Sequence, residues 1–150
     1  MGKKLIAANK KAYHDYFIDD TYEAGIVLAG SEVKSCRMGK INLKDSYCKV
    51  MRGELFLVNA HIGAYEKGSY FNPDERRSRK LLLKRQEIDK LRGKIEQKGF
   101  TIVPTKAYFV QGLLKIEIGL ARGKEGHDKR KTIKEKDIAR DTAREISKYK

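Results

Sequence analysis

Short runs of β-branched and aromatic residues, each bounded by turn residues, occupy both halves of this 150-residue chain, and one long helical stretch lies between them. Two junctions, Arg52-Gly53 and Gln111-Gly112, read as tight hairpin turns. The order strands, helix, strands predicts a mainly β protein with helices. Closing a small antiparallel sheet on itself removes its edges. A closed antiparallel β-barrel of the oligonucleotide-binding type, with one long inserted helix, is therefore the economical solution. An open α+β sandwich satisfies the same pattern.

Residues 1–12 are short, basic and unanchored, so they are expected to be a flexible arm ahead of a body over residues 13–122. Residues 13–28 are rich in aromatic and β-branched side chains and read as a strand. Gly25 within them marks a bulge or bend. Residues 31–36 fit one short helical stretch with Ser31 as N-cap. Residues 41–51 and 54–60 read as strands joined at Arg52-Gly53. The long helix is placed over residues 72–98. Asn72-Pro73-Asp74-Glu75 combines a capping amide, a proline in the first turn and acids at the positive end of the dipole. Gly99 supplies the stop, and Leu81, Ile88, Leu91 and Ile95 form one stripe. Gly93 weakens this helix by about 1 kcal/mol relative to alanine. Residues 100–103 form a short apolar run, and Pro104 argues for a sheet edge or a break. Residues 107–110 and 113–120 flank Gln111-Gly112. In the second, Leu114, Ile116, Ile118 and Leu120 alternate with Lys115, Glu117 and Gly119, as in a half-buried strand.

Residues 123–150 differ in kind. They hold ten Lys/Arg and six Asp/Glu, and their large apolar side chains are Ile133, Ile138, Ile146 and Tyr149. Such a segment buries too little surface to offset the entropy of ordering it, so it is expected to be disordered when free. Yet Thr132-Ile133-Lys134-Glu135 fits a capping box, and Ile138, Thr142, Ile146 and Tyr149 recur on one face of a notional helix. A basic tail with a latent helix points to folding on a polyanion. Of the net charge of +14, the tail carries four and the body ten. Nucleic acid is the leading partner class. An anionic membrane competes, but no apolar run approaches the roughly 20 residues of a spanning helix. A cytoplasmic location is expected. Cys36 and Cys48 are the only cysteines, which implies neither a disulfide framework nor a metal site.

The densest local signal is residues 76–85, where Arg76, Arg77, Arg79, Lys80, Lys84 and Arg85 make six cations in ten positions. Opposite phosphates, such a run gives affinity with a steep salt dependence. It also fits a solvated helix face. On the helix read here, Leu81 lies on the apolar stripe and Leu82 lies off it. An off-stripe leucine among cations can pack on a ribose or base, or on a second element. Tyr13, Tyr16, Phe17, Tyr65, Tyr70, Phe71 and Tyr108 are candidate stacking platforms, and each taken singly is more often core. Enzyme signals are poor. His14, His61 and His127 are far apart, and there is no phosphate-binding loop or nucleophile elbow. No cofactor and no catalytic residue is implied.

Asn9-Lys10-Lys11-Ala12, Tyr16-Phe17-Ile18, Glu23-Ala24-Gly25-Ile26, Gly30-Ser31-Glu32-Val33-Lys34-Ser35 and Arg37-Met38-Gly39-Lys40 follow one another in order. Asp45-Ser46-Tyr47, Arg79-Lys80-Leu81-Leu82-Leu83, and Gly123-Lys124 leading into His127-Asp128-Lys129-Arg130 continue the series. Over essentially its whole length the chain resembles the bacterial SsrA-binding protein family, also called small protein B. The resemblance implies an oligonucleotide-binding-type barrel that binds the tRNA-like domain of transfer-messenger RNA. It implies an adapter without catalytic activity in trans-translation, the rescue of ribosomes stalled on messages lacking a stop codon. It ties Asn9, Glu23 and Leu82 to RNA binding. With the cations of the matching motifs, the expected RNA-binding set is Asn9, Lys10, Lys11, Glu23, Lys34, Arg37, Lys40, Arg79, Lys80, Leu82, Lys84 and Arg85. The tail is expected to become helical on the ribosome, in the empty message channel of the small subunit. His127, Asp128, Lys129, Arg130 and Ile146 would lie toward the decoding centre and its ribosomal RNA. The family's adjacent apolar pair late in the tail is Glu145-Ile146 here, which leaves Ile146 alone. Alanyl-tRNA synthetase and elongation factor Tu are expected only indirectly, through the RNA, and the protein is expected to be a monomer. A basic structural ribosomal protein is the alternative. A barrel-class nuclease would need convergent carboxylates, for which Asp15, Asp19 and Asp20 are the candidates.

Overall fold

The computed structural model describes residues 3–65, 72–97 and 99–123. In chain order its elements are β1 (Lys3–Ala8), α1 (Lys10–Asp15), β2 (Tyr16–Ile26), α2 (Gly30–Arg37), β3 (Ile41–Asn42), β4 (Tyr47–Met51), β5 (Glu54–Val58), β6 (His61–Ile62), β7 (Arg79–Leu82), α3 (Arg85–Glu96), β8 (Phe100–Val110) and β9 (Leu113–Gly123). Seven strands form one sheet in the order β1-β8-β4-β5-β7-β2-β9, and β9 pairs in addition with β8. The pairings β8, β4, β5, β7, β2 and β9 thus lead back to β8. One edge of β8 carries β9 along its length. The other edge is shared between β4, at Cys48 opposite Ile102, and β1, which lies opposite Lys106 to Val110. β3 and β6 form a separate two-stranded sheet.

Both expected hairpins are present. Arg52 and Gly53 have φ of 55° and 78°, and Gln111 and Gly112 have φ of 51° and 82°. Positive φ at both central residues is the two-residue turn whose twist matches that of paired strands. The alternation over residues 113–120 also holds. Leu114, Ile116, Ile118 and Leu120 are buried in the core with Leu55, Leu57, Leu81, Leu91 and Ile102.

Several elements depart from expectation. Residues 3–8 are a paired strand rather than a flexible arm. β8 offers them a free edge, a long-range partner that their own basic composition does not reveal. Residues 10–15 are helical, so the strand expected from residue 13 begins at Tyr16. The Asn9 side chain accepts from the Ala12 N–H and starts this helix. The irregularity in β2 lies between Ile18 and Thr21, whereas Gly25 stays in register with both neighbouring strands. The expected strand over 41–51 is two strands, separated by a turn in which Asp45 has φ 63°. Pro104 does not end its strand. β8 runs through it, and the register shifts between Pro104 and Lys106. In α2 the capping position is Ala29, not Ser31, and its N–H is accepted by the Glu32 carboxylate at 2.9 Å.

The largest correction concerns the long helix. It covers Arg85–Glu96 alone, and Arg79–Leu82 is a strand between β5 and β2. Asn72 does not stand at the start of a helix, and its side chain exchanges hydrogen bonds with the backbone of Tyr65. Leu81 fits a helical stripe and a strand alternation equally well, and strand partners on both sides decide between them. Ile88 and Leu91 remain the buried face of α3. Among the described residues no helix is long and apolar enough to cross a membrane.

Candidate nucleic-acid interface

Burial sorts the cations before charge does. Arg79 is 0% exposed. Its Nε and Nη2 donate to Oε2 of Glu32 at 2.9 and 2.7 Å. Its remaining N–H groups reach the carbonyls of Ala60, Arg77 and Glu75 at 3.0 to 3.1 Å. All five donors of the guanidinium are satisfied inside the protein. Arg77 donates to both oxygens of the same carboxylate, at 2.6 and 3.1 Å. Burial by itself would push the Glu32 carboxyl up; the Arg77 guanidinium, the Ala29 amide and Arg79 hold it below the ordinary carboxylate value. Arg79, expected to touch RNA, is instead the pin between α2 and β7.

Strand alternation turns the neighbours of Arg79 outward. Lys80 and Leu82 leave the opposite face of β7 from Arg79 and Leu81. Leu82 is 49% exposed, so its accessibility holds although it lies on a strand and not on a helix. Register extends a row from it across five strands: Leu82 opposite Gly25, Gly25 opposite Lys115, Lys115 opposite Tyr108, and Tyr108 opposite Leu5. Gly25 leaves the backbone bare beneath Leu82, and the place a Cβ would take is 3.5 Å from Leu82 Cβ. The adjacent row runs Glu23, Glu117, Lys106, Ala8. Glu23 is exposed on it. Asn9 and α1 follow directly after Ala8, so Lys10 and Lys11 continue from the end of this row.

Asn9 itself is buried. Its Nδ2 donates to the carbonyls of Pro104 and Leu43 at 2.8 and 3.2 Å, and its backbone N–H to Thr105. It is therefore a clamp that seats α1, and Lys10 and Lys11 carry the exposed charge. Lys11 is tied to Asp45 at 3.1 Å and Asp15 at 3.3 Å. Lys80 pairs with Glu54 at 3.0 Å, Lys84 precedes α3, and Arg85 pairs with Asp89 within it. These exposed pairs are worth little and exchange readily for phosphates. Lys34, Arg37 and Lys40 belong to α2 and the turn after it, where the Arg37 guanidinium lies 5.7 Å from the Phe109 ring centroid. That group is joined to the Leu82 row by no pairing described above.

Of the aromatic candidates, Phe17 is exposed with the Arg122 guanidinium 5.3 Å from its ring centroid, and Tyr13 is also exposed. Tyr108 is buried under its neighbours. Tyr70, Phe71, His127, Asp128, Lys129, Arg130 and Ile146 lie outside the described residues, as does the tail from residue 124. Leu5, Lys115 and Glu117 were not singled out as site residues from the sequence. The alternation over 113–120 already turned Lys115 and Glu117 outward, but nothing local marked Leu5. Burial pushes the Cys36 thiol up to about 12, and raises that of Cys48 as well. Neither is a nucleophile at neutral pH. Asp15 pairs with Lys11, and Asp19 with Arg122. Among the described residues no group of three His, Cys, Asp or Glu could hold a metal ion.

An outward row of two exposed leucines, a carboxylate and flanking lysines sets apolar, acceptor and cationic groups side by side. The family model described as SmpB protein matches residues 6–148. The SsrA-binding protein of Syntrophotalea carbinolica is 58% identical over 146 residues, 97% of each chain. That of Thermoanaerobacter pseudethanolicus is 60% identical over 134 residues, 89% of this chain and 86% of its own. That of Geobacter metallireducens is 54% identical over 146 residues, 97% of this chain and 95% of its own. A solved structure described as "tmRNA-SmpB: a journey to the center of the bacterial ribosome" is similar with a TM-score of 0.70 at 51% identity, covering 88% of this chain and 93% of that one. With a family model spanning nearly the whole length and relatives this similar end to end, the chain belongs to the SmpB family.

Proposed function

We propose that this chain is an RNA-binding adapter for trans-translation, without catalytic activity. Its sheet, whose pairings lead back to β8, acts as an oligonucleotide-binding-type closed barrel that grips the tRNA-like domain of transfer-messenger RNA. The observation that carries this reading is the outer face on which exposed Leu82 lies across Gly25, one register step from Glu23 and beside Lys80. An apolar side chain there stacks against a sugar or base, the carboxylate accepts from a base edge or a 2′-hydroxyl, and the lysines neutralise phosphates. Names and descriptions of the relatives, SsrA-binding protein and tmRNA-SmpB on the bacterial ribosome, support the same partners.

On this reading the protein is a monomer, and its complex with the RNA reaches stalled ribosomes in the cytoplasm. Residues 123–150 serve the small subunit in its decoding centre and empty message channel, with His127 to Arg130 and Ile146 toward the decoding centre. Alanyl-tRNA synthetase and elongation factor Tu are met through the RNA alone. The test is competition binding with labelled tRNA-like domain against excess bulk tRNA at two salt concentrations. Retention of the label at the higher salt is the expected result. Displacement one for one by bulk tRNA would mean simple phosphate neutralisation, and would put a basic ribosomal protein ahead of the adapter.

A further inference from the structure

Tyr108 occupies an unusual position on the outer face. It alternates outward with Lys106, yet it is only 3% exposed. Its phenol donates to Oε1 of Glu23 at 2.8 Å. Tyr108 is opposite Lys115 and Glu23 is opposite Glu117, so the two residues flank β9 from β8 and β2. The hydrogen bond therefore crosses β9 diagonally and joins strands that are not neighbours at this point. From the β1 side, the Lys3 ammonium lies 4.7 Å from the ring centroid. A phenylalanine would bury the same ring; the hydroxyl adds the link to the carboxylate. Thr105 treats the neighbouring acid alike, donating to Oε2 of Glu117 at 2.7 Å.

A carboxylate on an exposed, freely rotating stem loses side-chain entropy when a ligand orders it. One already tied at a single oxygen loses less, and its remaining lone pairs point in a set direction. A carboxylate also repels phosphates and accepts only from donors. On RNA these are the amino and imino groups of exposed bases and the ribose 2′-hydroxyl.

We propose that Tyr108 is a positioning residue, which presets the Glu23 carboxylate toward a base-edge or 2′-hydroxyl donor and so supplies selectivity among RNAs. This rests on the RNA-adapter reading above. It assigns Tyr108 to the pre-organisation of Glu23.

The experiment is titration of labelled tRNA-like domain, with bulk tRNA in parallel, by the full chain and by Y108F, E23A and the double variant. Y108F is expected to weaken binding of the tRNA-like domain by about five- to tenfold. It should leave bulk tRNA binding and the salt slope unchanged, because no phosphate contact is lost. E23A should weaken binding at least as much, and the double variant should match E23A, since Tyr108 acts through Glu23. Wild-type affinity in Y108F, multiplying losses in the double variant, or an equal loss toward bulk tRNA would each overturn the proposal. A wild-type chain with no preference for the tRNA-like domain is a different result, and it removes the adapter reading itself.

Discussion

Glu32 shows how far one residue's meaning depends on what surrounds it. In sequence it is one acid in a short helical stretch; in the fold it pairs with two arginines, one fully buried. Its folded carboxyl lies below the ordinary 4.5, so the unfolded chain binds its proton more readily. The resulting stabilisation is complete above about pH 4.5 and is lost as pH falls from there through the folded value. E32Q leaves Arg79 buried without a counter-charge and should cost about 3–5 kcal/mol at neutral pH. Urea unfolding from pH 7 to 3 measures both effects: wild type loses stability across the acid range, and E32Q loses less. Equal slopes for the two would show that Glu32 is not an acid-sensitive link. Arg79 was unreadable as a buried residue because a run of cations records charge, and only the third dimension separates Arg79 from Lys80. The placement of Leu82 away from the face of Leu81 was readable, though through a helical geometry that the chain does not adopt. Period 3.6 and period 2 happen to place it outside alike.

At the scale of elements, local signals were trustworthy where the turn chemistry is local. Arg52-Gly53 and Gln111-Gly112 specify their hairpins through φ. The pattern over 113–120 specifies its strand, and Ile88 and Leu91 mark α3. Elements that depend on a distant edge were not legible. β1 exists because β8 has room for it, and Arg79–Leu82 is a strand because β5 and β2 lie on either side. Asn9 joins such elements, holding the start of α1 against the carbonyls of Leu43 and Pro104. N9A removes both donors and the acceptor for Ala12, and should cost about 1–3 kcal/mol. It should also weaken RNA binding by letting α1 drift with Lys10 and Lys11. Denaturant unfolding and RNA titration on the same samples test this, and a loss of binding without a loss of stability would return Asn9 to direct contact.

For the molecule as a whole, charge was the most legible quantity. The body carries ten of the fourteen net positive charges. RNA affinity and tail function should therefore separate. Deleting residues 123–150 should leave affinity for the tRNA-like domain within about threefold of wild type and abolish tagging of stalled chains in a reconstituted translation assay. Collapse of RNA binding on truncation would contradict this division. The fold adds a length to it. Gly25 and Lys115, beside Leu82, are opposite at one end of the β2–β9 pair, and Tyr16 and Gly123 are opposite at the other. Eight residue steps along β9 separate Lys115 from Gly123, or about 26 Å at strand spacing. Hydrogen-bonded along both edges, β9 cannot stretch or hinge as a linker would. The protein is thus a ruler: a ligand held at Leu82 stands at a fixed distance and angle from Gly123. Movement of one end is delivered to the other as rigid rotation.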